Sequence, residues 1–118
     1  MAESLVWAVK NGDLDALKSQ AEASGFDVNA QVLQGRALIH IAADYGQADV
    51  ITFLISKGAE VNCADKHGIT PLLAAIWEGH ETCVSLLLSK GADKSGKAPS
   101  GESYLDCAEK ESIKQLLR

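Results

Sequence analysis

The sequence predicts an all-α solenoid of about four stacked helix–turn–helix units, shortened at both ends, on three observations. Gly35, Gly68 and Gly101 stand 33 residues apart, as do Gly25, Gly58 and Gly91, and Gly46 precedes Gly79 by the same step. Ala8, Ala42, Ala75 and Ala108 keep nearly that period in another register, at separations of 34, 33 and 33. Between the glycines run pairs of apolar stripes with helical spacing. Two residue types in phase mark an internal repeat and divide the 118 residues, one domain's length, into units of roughly 1–33, 34–66, 67–99 and 100–118.

Repeat one, Leu5 to Asn29, begins directly in its first helix, as a terminal cap would. Repeat two places Ile39, Ala42 and Ala43 on one helix, stops at Gly46, and resumes with Val50, Phe53 and Leu54 before Gly58. Repeat three states the pattern most fully. Thr70 offers a capping hydroxyl, and Pro71 takes the first helical position, where a missing N–H costs nothing. Leu72, Ala75 and Ile76 form the stripe of a helix running to about Glu78, and Gly79 suits the left-handed stop. A second helix, Thr82 to Lys90, follows with Val84, Leu87 and Leu88 inside and Gly91 as its end. Repeat four is four residues shorter between Ala108 and Ile113 than repeat three is between Ala75 and Val84, and it closes on Ile113, Leu116 and Leu117. Small alanines at the crossings let thin units stack closely, so a large side chain at Ala42 or Ala75 is expected to open the stack.

Composition narrows the use of such a stack. The chain has 16 acidic and 11 basic side chains, and the acid excess is concentrated in residues 1–93, with twelve acids and six bases. A field of that sign repels phosphate backbones and anionic lipid, which disfavours nucleic acid and membrane and favours a basic protein patch. No apolar run approaches the about 20 residues of a spanning helix. Met1 to Val9 also lacks the order of an export signal. Cys63, Cys83 and Cys107 are odd in number and widely spaced, which fits reduced thiols in a cytoplasmic protein. His40, His67 and His80 match neither zinc-ligand spacing nor a nucleophile motif with them. His40 near a helix start and His80 after a turn glycine instead suit bridging of backbone groups between repeats. Ser95-Gly-Lys-Ala-Pro-Ser-Gly101 reads as a hairpin loop before the last unit. The expectation is a monomeric binding protein without catalysis, metal or cofactor.

Gly68-Ile-Thr-Pro-Leu-Leu-Ala-Ala75, Glu78-Gly-His80 and Leu86-Leu-Leu-Ser-Lys-Gly-Ala-Asp93 resemble the consensus of the ankyrin-repeat family, whose period is 33. Trp7-Ala8, Lys10-Asn-Gly-Asp-Leu-Asp15, Asp27-Val-Asn29, Gly35-Arg36, Ala42-Ala-Asp44, Gly46-Gln47, Asp65-Lys-His67 and Ile69-Thr-Pro-Leu-Leu73 extend the resemblance over essentially the whole chain. They point to a small four-unit branch of that family. The resemblance implies a cytoplasmic and sometimes nuclear protein that binds the heterodimeric actin capping protein and keeps it off filament barbed ends. It also carries an alternative, regulation of dimer choice among Rel-type (NF-kappa-B) transcription factors. A generic scaffold is the plainest reading. The chain departs from the pattern at Ala37-Leu38, where a Pro usually opens the helix, at Leu33, usually acidic, and at Ile41, usually aromatic. Loss of the hydroxyl–proline start is expected to cost about 1 kcal/mol.

With Ala8, Ala42 and Ala75 buried, the outward positions on the first helices are Trp7 and Lys10, then Ile41, Asp44 and Tyr45, then Trp77 and Glu78. Asp65, Lys66 and His67 add a loop tip. Aromatic anchors beside carboxylates have the composition of a contact for Arg or Lys, so these ten residues form the expected partner-binding set. Plainer roles stand beside it: Trp7 covering the open end of repeat one, Trp77 packing under a neighbouring loop, Asp44 and Glu78 as solvated helix face.

Overall fold

The computed structural model describes residues 2–22, 26–33 and 35–118; the repeat glycine Gly25 lies outside the described residues. Four helix pairs follow one another: α1 (Ala2–Asn11) and α2 (Leu14–Ala21), α3 (Leu38–Asp44) and α4 (Ala48–Ser56), α5 (Pro71–Glu78) and α6 (Glu81–Ser89), α7 (Tyr104–Cys107) and α8 (Glu111–Leu117). The first helices pack in a row, α1 on α3, α3 on α5 and α5 on α7, while α4, α6 and α8 form a layer behind. The stack measures 41 × 24 × 20 Å. Ala8, Ala42 and Ala75 have no exposed surface, which is what close approach of the first helices requires.

Short loops carry the chain from one pair to the next through the same backbone bond every 33 residues. Val32 N–H donates to the Arg36 carbonyl at 2.9 Å, Asp65 to Ile69 at 2.9 Å and Ala98 to Glu102 at 2.8 Å. Side chains then tie each repeat to its neighbour. Asn29 bridges the Gly58 carbonyl and the Glu60 N–H, and Asn62 bridges the Gly91 carbonyl and the Asp93 N–H. At the helix–helix turns Gln47 donates to the Lys10 carbonyl at 2.9 Å, His80 Nε2 to the Asp44 carbonyl at 3.0 Å, and Lys110 to the Gly79 carbonyl at 2.8 Å. Gly46 must be glycine twice over: its φ is +72°, and a Cβ would stand 2.7 Å from the His80 ring.

Two sequence expectations about the helices need correction. Phe53 and Leu88 are half-buried, and the inner faces are instead Val50, Ile51 and Leu54 in α4 and Cys83, Val84 and Leu87 in α6. Phe53 lies outside that layer with the ammonium groups of Lys18 and Lys57 6.0 and 5.7 Å from its ring centre. The start of α3 does lack a hydroxyl cap, yet it is not loose. His40 Nδ1 accepts from the Ala37 N–H at 3.1 Å, so the ring carries its proton on Nε2, which donates to the Cys63 carbonyl at 3.0 Å. In repeat three the Thr70 hydroxyl accepts from Leu73 N–H at 3.2 Å, with Pro71 at the first turn. Tyr104, buried in α7, places its hydroxyl 2.9 Å from Thr70 Oγ1 and locks repeat four to that cap.

Candidate partner-binding surface

The first-helix row and the hairpin loops enclose a cleft of about 230 Å³ lined by Arg36, Asp44, Asp65, His67, Ile69, Ala74, Trp77 and Glu78. Five of the ten expected contacts therefore share one wall or the other. Trp77 is 46% exposed at the end of α5, and Glu78 beside it is exposed. On the α7 side the neighbour is Cys107, whose thiol pKa burial raises and the Trp77 side chain draws back down. Asp44 closes α3, half-buried, with one carboxylate oxygen 3.7 Å from the Arg36 guanidinium. Arg36 is held in turn by its bond to the His40 carbonyl at 3.2 Å. Tyr45, 47% exposed, carries the Lys10 ammonium 5.3 Å from its ring centre. Lys66 and His67 are exposed at the second hairpin, where Lys66 lies across Gly35 of the first; a Cβ there would meet its side chain at 2.9 Å.

Three expected contacts are placed differently. Ile41 is fully buried, because the position facing outward in a lone helix is covered once repeat one stacks on α3. Asp65 is 8% exposed and spends its carboxylate on the backbone N–H groups of His67 and Ile69, at 2.8 and 3.0 Å, so it builds the hairpin. Trp7 is 57% exposed but borders a separate shallow recess with Ser4, Ala16 and Gln20. In the repeat register Trp7 equals Ile41 and Ala74, both buried between repeats. At Trp7 the same position stays exposed.

Of the three lining residues outside the expected set, Arg36, Ile69 and Ala74, Arg36 is the charged one. Its signal was its place: it leaves the first hairpin at the position Ile69 occupies in the next, where a long side chain lies along the groove. Nothing in the surroundings activates a nucleophile. Burial pushes the Cys83 thiol up to about 11 and raises Cys63 and Cys107 as well. Cys63 Sγ lies 4.0 Å from His40 Nε2, but that nitrogen is a proton donor and the thiol itself donates to the Glu60 carbonyl at 3.1 Å. Among the described residues no group of three His, Cys, Asp or Glu side chains is arranged to hold a metal ion. No helix among them is long and apolar enough to cross a membrane. What the cleft presents is shape, an exposed indole and carboxylates, the equipment of recognition.

Comparison with known proteins agrees. The family model for ankyrin repeats (3 copies) matches residues 5–98. Myotrophin of Xenopus tropicalis is 56% identical over 115 residues, 98% of this chain and 97% of that protein. BCL-6 corepressor-like protein 1 of Homo sapiens is 29% identical over 93% of this chain but only 6% of its own length, and the B-cell lymphoma 3 protein homolog of Mus musculus 29% over 89% and 24%. Those larger proteins share only the repeat segment, whereas the frog protein is matched end to end. With its fourfold stack, its period and that full-length likeness together, this chain belongs to the ankyrin-repeat family, in the myotrophin branch.

Proposed function

We propose that this protein binding module takes the heterodimeric actin capping protein as its partner and inhibits it sterically, so that barbed ends stay open and filaments grow. The observation that carries the reading is the end-to-end likeness to myotrophin. The cleft supports it with suitable chemistry: Asp44 and Glu78 beside Trp77 on its walls, with Tyr45 exposed next to Asp44, suit arginine and lysine side chains on a partner. The mechanism is masking. A basic patch covered by this surface is unavailable to the filament, and no bond is made or broken. The protein acts where its partner is, in the cytoplasm and on occasion the nucleus.

Purified heterodimer retained on the immobilised protein, together with restored barbed-end elongation in an actin assembly assay, is the expected result. Association should weaken as salt rises, since facing charges steer it. Glu78→Lys should lower affinity by about 10-fold by setting like charge against the partner. Undiminished capping at saturating protein would defeat the assignment.

A further inference from the structure

We infer that Arg36 and Lys10 are internal competitors for the cationic groups of a basic protein partner, holding the repeat-two half of the groove occupied until that partner displaces them. The inference rests on the proposed basic partner and deepens it. The repeat-two side of the groove, where Tyr45 flanks the lining residue Asp44, and the repeat-three side offer matching receptors but differ in occupancy. In repeat two, the aromatic receptor Tyr45 already carries the Lys10 ammonium at 5.3 Å, and the carboxylate receptor Asp44 already has the Arg36 guanidinium at 3.7 Å. In repeat three, the equivalent pair is Trp77 and Glu78, and among the described residues neither has an internal cation against it.

The internal occupants reveal the ligand chemistry, because a ring and a carboxylate that seat an ammonium and a guanidinium from this chain will seat the same groups from another. Neither occupant is tied to its receptor by a hydrogen bond. The Arg36–Asp44 separation is longer than a hydrogen bond, and Asp44 is about a third exposed. Among the described residues the Lys10 side chain makes no hydrogen bond, its main-chain carbonyl alone being used by Gln47. A partner cation thus enters at Trp77 and Glu78 without competition and reaches Tyr45 and Asp44 only by exchange. Arg36 and Lys10 thereby set affinity downward and favour partners with two or more spaced cations, which can win the exchange.

The test is calorimetric titration, at low salt, of an N-acetylated, C-amidated peptide of six Arg-Gly units into wild type, Arg36→Gln, Lys10→Met and Lys114→Gln. Lys114 lies in α8, remote from the cleft, and its loss changes net charge as much as either other variant does. Removing either competitor should tighten binding about 2- to 5-fold, the range for a partly exposed ion pair or cation–π contact. Lys114→Gln should tighten it less than either. Equal tightening in all three variants, no tightening, or no binding by wild type overturns the inference. Arg36 also bonds the His40 carbonyl, so a melt accompanies its variant; Lys10→Met, which keeps the Gln47 contact, decides the matter if Arg36→Gln misfolds. Failure of the capping-protein assignment would look different: the peptide pattern would hold while the heterodimer was not retained.

Discussion

Repeats two and three build the same helix pair from different side chains, and the difference shows which parts of the repeat are interchangeable. Repeat three starts its first helix with a hydroxyl and a proline, both local to the chain. Repeat two starts with Ala37 and Leu38 and transfers the task to His40, whose ring serves its own helix through Nδ1 and the following hairpin through Nε2. The first solution is modular. The second welds helix and hairpin together at a titratable group, so repeat two depends on one side chain where repeat three divides the work.

The largest expected effect breaks that weld. His40→Ala strands the Ala37 N–H and the Cys63 carbonyl and leaves a void at a residue only 2% exposed, a loss of about 3 kcal/mol. Thr70→Ala should cost about 1 kcal/mol, because a single helix cap is lost. Urea denaturation of both variants measures the difference. Equal losses would mean the His40 bridge carries no more than an ordinary cap.

A second, smaller contrast comes from pH. Burial is the chief cause that holds the His40 pKa below the usual imidazole value, with the Arg36 guanidinium acting the same way; the Cys63 carbonyl, the Asp65 carboxylate and the Ile69 carbonyl pull it up. Glu60 and the Cys63 thiol border the same side of the ring. The native state therefore binds the proton less readily than the unfolded chain. The resulting stability is complete above about pH 6.5, the unfolded value, and is lost as pH falls through the depressed native one. The slope cannot exceed about 1.4 kcal/mol per pH unit for one proton. Urea midpoints between pH 7.5 and 5.5 should fall more steeply in wild type than in His40→Ala; parallel slopes would assign the acid sensitivity to another group.

The stacked helices were legible because backbone geometry dictates them. Gly46 and Gly79 need positive φ, Ala42 and Ala75 must be small where helices cross, and Thr70-Pro71 is a local start signal. Much of the groove was legible too: Asp44, Trp77 and Glu78 follow from taking the alanines as buried. What stayed hidden depends on a neighbouring repeat. Ile41 is outward on its own helix and buried only after stacking, Asp65 looks like a loop-tip charge until its bonds to His67 and Ile69 appear, and Arg36 reaches Asp44 across eight residues of chain. A periodic pattern fixes which face of a helix is inside the unit. It does not tell which outside positions the next unit covers.

The smallest expected effect sharpens the comparison at its far edge. Repeat three passes its cap onward through the Tyr104–Thr70 bond, whereas the asparagine bridges that join earlier repeats end there, since Ser95 turns back onto Asp93. Two exposed lysines add clasps, Lys110 to the Gly79 carbonyl and Lys94 to the main-chain oxygen of Arg118, each at 2.8 Å. Tyr104→Phe removes one hydroxyl, and Thr70 still accepts from Leu73, so the global cost should be about 0.5–1 kcal/mol. Its distribution matters more than its size. A stack in which each unit contacts only its neighbours loses protection locally, so amide exchange should quicken in α8, at Ile113 and Leu117, before it changes at Ile51 or Leu54 in α4. Uniform quickening along the chain would show that the tyrosine bond supports all four pairs as one cooperative unit, and repeat four would then be as firmly joined as repeats two and three are to each other.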